Sequence, residues 1–210
     1  MLNYFMSDLN THLQPIVNSQ LVTSDHLLNA HADAVLPQLP EGDLWVFGYG
    51  SLMWRPGFDY IESVDGRLYG YHRALCVSSW VHRGTPEKPG LVLGLDRGGS
   101  CSGKLFRISC VIKEKVAQYL YDRELATMIY FARIINVHTK DGRRIQALTF
   151  VVDTKHQQYV TQKCPEQLAK TVAFARGLNG KSSDYLLSTL EHLRQDGIHD
   201  SRLEAVAALI

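Results

Sequence analysis

The pair Asp141-Gly142, set between Tyr130–His138 and Arg144–Val152, constrains this chain more than any other short stretch. Asp-Gly readily takes the positive φ of a tight reversal, so the two flanks read as an antiparallel hairpin. Other strands are expected around it. Leu44-Trp45-Val46-Phe47 is an apolar run that reads as a buried strand entering the tight turn Gly48-Tyr49-Gly50-Ser51. Residues 66–80 are rich in aromatic and β-branched types and read as one or two strands. Leu91–Leu95 and Gly103–Ser109 follow, separated by a turn at Gly98-Gly99, with a loop from Gly84 to Pro89 before them.

The helices come after the first strands. Ile112, Val116, Tyr119 and Leu120 fall at i, i+4, i+7 and i+8, one face of a helix. Pro165 opens a second helix that Gly177 should close, with Leu168, Val172 and Ala175 on one face. A third is expected over about Ser183–Arg194, stopped by Gly197. A fourth begins at Ser201 and Glu204, spaced as a capping box. Strands followed by helices indicate an α+β fold rather than alternating βαβ units.

Composition narrows the function classes. A chain of 210 residues accommodates one domain with an ordinary core, or one domain with a decorated end. Residues 1–43 read as an appendage carrying a candidate amphipathic helix around Asp25–Val35, ended by Pro37 and Pro40, and residues 44–210 as the main domain. Lys plus Arg number 22 against 21 Asp plus Glu, so a net charge of +1 gives no reason to expect nucleic-acid or membrane partners. No Lys or Arg precedes Arg55, whereas a secretory signal needs a positive start and a transit peptide is Arg-rich; the expected location is the cytoplasm. Cys76, Cys101, Cys110 and Cys164 form no C-x-x-C pair and are expected to behave as buried small hydrophobes. The nine His residues show no metal-ligand spacing, and neither metal nor cofactor is implied.

Two features have chemical potential. In Gly48-Tyr49-Gly50-Ser51-Leu52, a strand runs into a turn whose successive N–H groups can form a concavity for a carboxylate or a developing oxyanion. A methyl group at Gly50 is expected to crowd this loop. It is neither a dinucleotide loop nor a nucleophile elbow, because Met53 stands where each motif needs glycine. The second feature is Arg123-Glu124, at the C-terminal end of the first helix. There the negative end of the helix dipole favours the protonated carboxyl and raises its pKa, as a general base requires. Taken alone, a G-x-G turn is more often structural, and Glu124 more often a solvated carboxylate beside a surface Arg. The basic pair His82-Arg83 before Gly84-Thr85-Pro86 reads as solvent-facing, with a substrate carboxylate contact as the lesser alternative. Tyr130 and Tyr159 fit either a site or a core.

Taken together, these segments resemble a known family. Val46-Phe47-Gly48-Tyr49-Gly50-Ser51-Leu52-Met53-Trp54-Arg55-Pro56, His82-Arg83-Gly84-Thr85, Pro89-Gly90-Leu91-Val92, Tyr119-Leu120 leading to Arg123-Glu124, and Ala175-Arg176-Gly177 with Tyr185-Leu186-Leu187 occur in the order and spacing of the ChaC-type glutathione-specific γ-glutamylcyclotransferases. The resemblance runs from roughly residue 44 to 190 and leaves the first 40 residues outside. It implies a small mixed β-barrel with surrounding helices, and a cofactor-free enzyme converting glutathione to 5-oxoproline and cysteinylglycine. In it, Phe47, Gly48, Tyr49, Gly50, Ser51 and Leu52 would hold the γ-glutamyl group and Glu124 would be the acid/base. A monomer is expected. The alternatives are a cyclotransferase for other γ-glutamyl amines or amino acids, and a non-catalytic partner of a transport system. One departure stands out: Met128-Ile129 replaces a glycine pair common in relatives, and is expected to narrow the pocket wall or alter its loop.

Overall fold

The computed structural model describes residues 36–161 and 164–210; the candidate helix around Asp25–Val35 lies outside them. Five strands close a barrel in the order β1-β3-β2-β4-β5: β1 (Leu44–Gly48), β2 (Glu62–Ser79), β3 (Gly90–Ile108), β4 (Tyr130–Thr139) and β5 (Arg144–Val152). All pairings are antiparallel except the seam, where β1 meets β5 in parallel at Val46↔Leu148. Val46 and Phe47 are both fully buried although they point to opposite faces. Such two-sided burial is why this strand is a continuous apolar run rather than an alternating one.

The hairpin at Asp141-Gly142 forms as expected. Gly142 has φ 86°, its N–H donates to the Thr139 carbonyl, and pairing runs from Tyr130↔Val152 to His138↔Arg144. Gly98-Gly99 behaves differently from the expectation. Instead of a turn between two strands, it lies inside one long β3, which pairs with β2 from Glu62↔Arg107 to Ser79↔Gly90. Gly70, Gly98 and Gly99 have φ of 87°, 92° and 70°, and the register slips between Tyr69 and Tyr71. The glycines therefore form a bulge, which bends a long hairpin into a barrel wall. The chain reverses at residues 80–89 instead.

Among the described residues, four α-helices complete the α+β fold: α1 (Lys113–Glu124), α2 (Pro165–Phe174), α3 (Ser182–Gln195) and α4 (Ser201–Ala207), with a short hairpin of β6 (Arg176–Gly177) and β7 (Gly180–Lys181) before α3. Val116, Ala117, Leu120 and Tyr121 form the buried face of α1; Ile112 is its cap residue rather than part of its face. Pro165 opens α2 as read, but the helix ends at Phe174 and Gly177 belongs to β6. A Cβ at Gly177 would sit 2.4 Å from the Val81 carbonyl oxygen, so close strand approach is the reason for that glycine. Gly197, at φ 68°, stops α3. The cap of α4 is Asp200, whose carboxylate accepts from Leu203 N at 3.2 Å, and Ser201 is the first helical residue. Cys76 and Cys101 are buried small hydrophobes, whereas Cys110 and Cys164 are exposed. No helix among the described residues is long and apolar enough to cross a membrane.

Candidate active site

A cavity of about 540 Å³ opens where the turn after β1, the C-terminal end of α1 and the start of α3 converge. Its lining includes Tyr49, Gly50, Ser51, Leu52 and Glu124, the two features singled out in the sequence. Phe47 and Gly48 do not line it. Phe47 is a fully buried core residue whose carbonyl accepts from Thr149 Oγ1 at 3.0 Å. A Cβ at Gly48 would lie 3.1 Å from Leu52 Cβ, so this position lets the chain fold back on itself. At Gly50 the nearest atom to an added Cβ is Leu93 Cδ1 at 3.7 Å, an ordinary contact. The steric demand for glycine is therefore at Gly48 and not, as expected, at Gly50.

Past β1 the chain enters a single 3₁₀ turn, Ser51–Met53. Its first hydrogen bond is Met53 N–H to the Gly50 carbonyl at 2.9 Å. The N–H groups of Ser51 and Leu52 lie ahead of that bond, where a helical turn leaves donors without internal partners. Behind the turn, Arg73 is buried and donates from Nε to the Tyr49 carbonyl at 2.5 Å.

Glu124 is the last residue of α1 and the single carboxylate among the lining residues. Burial raises its pKa, and the adjacent Arg123 guanidinium, with Nε at 3.2 Å from Oε1, opposes that rise. Burial rather than helix position is thus the cause the structure supplies. Arg123 also connects the two features. Its Nη2 donates to Ser51 Oγ at 3.0 Å, and its Nη1 donates to the Arg55 carbonyl at 2.9 Å and to Tyr119 Oη at 3.0 Å.

Three tyrosines share the lining with this carboxylate and feel its charge. Burial foremost holds the pKa of Tyr49 and Tyr130 well above the ordinary value and that of Tyr185 at about 12; the charge of Glu124 contributes to each rise. All three remain neutral donors near pH 7. Tyr130 donates to the Leu93 carbonyl at 2.7 Å, leaving its oxygen to accept from a ligand. Tyr185 accepts from Leu93 N–H at 3.3 Å, leaving its proton to donate. Tyr159 lies apart from the lining and donates to Asp96 at 3.0 Å.

His82 is exposed and Arg83 half-buried, and both also line the cavity. Arg83 donates from Nη1 to the carbonyls of Asn179 at 2.5 Å and Lys181 at 3.3 Å, and its guanidinium lies over the Tyr185 ring. The fold also brings Trp54, Phe150, Asn179 and Ser188 to the lining, residues for which no local motif signals a role. Met128 and Ile129 are not lining residues. Ile129 is buried, and Met128 sits in the left-handed region at φ 57°. Met128 therefore holds a backbone conformation that favours glycine, and neither side chain narrows the cavity wall.

Residues 44–210, which include every lining residue, match the family described as ChaC-like protein. The chain belongs to this family. Among the relatives of this ChaC-like chain, the glutathione-specific gamma-glutamylcyclotransferase of Escherichia coli (strain K12) is 32% identical over 197 residues, covering 94% of this chain and 85% of that protein. The protein of the same name from Schizosaccharomyces pombe is 35% identical, covering 79% of this chain and 93% of that one. Coverage of 94% means that the likeness to the bacterial relative extends into the first 43 residues, which the motifs alone had left outside. In structure, a yeast γ-glutamyl cyclotransferase specific to glutathione superposes with a TM-score of 0.71 at 20% identity, over 80% of this chain and 97% of that one. At that identity the likeness concerns the ChaC-like fold alone.

Proposed function

We propose that this protein is a glutathione-specific γ-glutamylcyclotransferase. The observation that carries the reading is that Glu124 and the Tyr49–Leu52 turn line one cavity and are tied together by Arg123. In a γ-glutamyl amide, the α-amine can reach the γ-carbonyl carbon to close a five-membered lactam. Nucleophile and electrophile belong to one molecule, and well-oriented intramolecular attack reaches effective molarities on the order of 10⁵ M. The protein has to hold the folded conformer, carry two protons in turn from the α-nitrogen to the leaving nitrogen and stabilise one oxyanion.

The α-amine has an ordinary pKa of about 8 and is mostly ammonium at neutral pH. Glu124 accepts its proton, and the freed nitrogen lone pair forms the new C–N bond. The γ-carbonyl π pair moves to oxygen, where the turn's N–H groups receive it; each such donor contributes roughly 10²–10³-fold. Collapse of the tetrahedral intermediate breaks the bond to the cysteinyl nitrogen, to which Glu124 returns the proton. The ring nitrogen, left with two hydrogens and a positive charge by the attack, gives up one of them through the same carboxylate to the released amine, which departs as ammonium. The products are 5-oxoproline and cysteinylglycine. A carboxyl raised by burial is the stronger base for the first transfer and, once protonated, the ready acid for the second.

The cavity's charge also suits this substrate. Glutathione carries two carboxylates and one ammonium, against Arg55, Arg83 and Arg123 with one carboxylate in the lining. Its volume lies in the usual range for small-molecule sites, about 300–1,000 Å³. Incubation of the purified protein with glutathione should release 5-oxoproline and cysteinylglycine in equal amounts. A panel of other γ-glutamyl amines and amino acids should give little product; equal turnover of those compounds would replace glutathione by a broader substrate class.

A further inference from the structure

Arg73 sits behind the glycine turn, away from the cavity, and is only 3% exposed. Its guanidinium holds three elements at once. Nε donates to the Tyr49 carbonyl at 2.5 Å, Nη2 to the Ser102 carbonyl of β3 at 2.7 Å, and Nη1 to Asp200 Oδ2, at the cap of α4, at 2.9 Å. A planar five-donor fork can satisfy three diverging acceptors; a lysine ammonium at the end of a flexible stem cannot hold them in the same plane.

The contact with Tyr49 has a geometric consequence. In a trans peptide the C=O and N–H of one unit point in opposite directions, and no peptide bond among the described residues is cis. With the Tyr49 carbonyl drawn towards Arg73 and the core, the Gly50 N–H is turned towards the opposite side, where Tyr49 and Gly50 line the cavity. Gly50 is buried, and its N–H donates to no group among the described residues. A buried main-chain donor without a protein acceptor is rare. Here it faces the space where the substrate carbonyl would lie.

We propose that Arg73 is a positioning residue: it fixes the plane of the Tyr49–Gly50 peptide so that the Gly50 N–H points into the cavity as an oxyanion donor. Asp200, 14% exposed on its side chain, holds the guanidinium from its other end, so the cap of α4 and the donor turn share one cation. This inference rests on the cyclotransferase reading for its kinetic consequence but not for its geometry.

The test is Arg73→Lys, which keeps a cation beside Asp200 but loses the fork. If the Gly50 N–H acts on the oxyanion, kcat for glutathione should fall about 10²-fold per folded molecule with KM changed less than about threefold, as expected for a contact made in the transition state. The orientation itself is read without ligand by labelling tyrosine carbonyl carbons and glycine nitrogens. The sequence contains two Tyr-Gly pairs, Tyr49-Gly50 and Tyr69-Gly70. The first carbonyl–nitrogen correlation should move in the variant and the second should stay. Should the lysine variant not fold, Asp200→Asn keeps a cap acceptor for Leu203 and loosens the same guanidinium, and should give the same displacement with a kcat loss of about three- to tenfold. An unmoved Tyr49-Gly50 correlation, or a moved one with kcat within twofold of the parent, overturns the proposal. Failure of the parent to make 5-oxoproline would instead sink the functional reading, and the ligand-free correlation would still decide where the peptide points.

Discussion

The turn after β1 and the C-terminal end of α1 face the same cavity, yet they are secured in different ways. The turn is braced from the core by Arg73 and along its outer side by Arg123, so its main-chain groups keep fixed directions. The end of α1 carries Glu124 with a pKa raised by burial, and the loop that follows, outside the lining, holds Met128 at φ 57°. One wall is held by hydrogen bonds. The other holds a carboxyl in a setting that disfavours its charge, with a strained backbone position just behind it. Preorganised donors need a rigid support, whereas a proton carrier needs an unfavourable environment to have a useful pKa.

Removing the proton carrier should give the largest effect. Glu124→Gln should lower glutathione turnover by about 10²–10⁴-fold while thermal unfolding and far-ultraviolet circular dichroism remain those of a folded protein. Turnover within tenfold of the parent would break the comparison, because that wall would then have no proton to move. The next effect belongs to the braced wall. Gly48→Ala places a methyl group against Leu52 and should lower stability by roughly 1–3 kcal/mol and displace the turn, with a clear loss of kcat/KM. Gly50→Ala, with ordinary room for its Cβ, should change stability by less than about 0.5 kcal/mol. Chemical denaturation of the pair decides it: equal destabilisation would mean that the turn is not folded back at Gly48.

A pH series sharpens the contrast through stability. A folded-state pKa raised above the unfolded value means that Glu124 contributes stability below the ordinary carboxylate range and loses it as pH rises through the raised value. Glu124→Gln should therefore match the parent's melting temperature near pH 4 and exceed it near pH 7. A difference independent of pH would show that the carboxyl is not perturbed. The smallest effect lies at Met128. Met128→Gly should relieve the left-handed strain and gain roughly 0.5–1 kcal/mol, a rise of about 1–4 °C, with kcat nearly unchanged.

What could be read in advance was what local chemistry determines. Asp141-Gly142 specified its hairpin, Pro165 opened a helix, and the apolar run at Leu44–Phe47 led into the turn, because each depends on a few adjacent residues. Gly98-Gly99 misled for the same reason: positive φ serves a bulge as well as a reversal, and only pairing with β2 distinguishes them. The cavity's far wall was opaque. Arg83 meets the Asn179 carbonyl across 96 positions of sequence, and Tyr185 reaches Leu93 across 92. Arg73, inside β2, has no local signal; its role appears only when Tyr49, Ser102 and Asp200 converge on it. The family resemblance supplied Glu124 and the turn but also carried Phe47, whose side chain belongs to the core.

The seam of the barrel has a consequence for any shortened version of the chain. Strand β1, only five residues long, lies between β3 and β5 and completes the ring from Leu44 to Gly48. A fragment beginning after Gly50 would lose more than its donor turn. It would leave β3 and β5 with bare flanks of unpaired main-chain groups, the kind of surface on which further copies stack into aggregates.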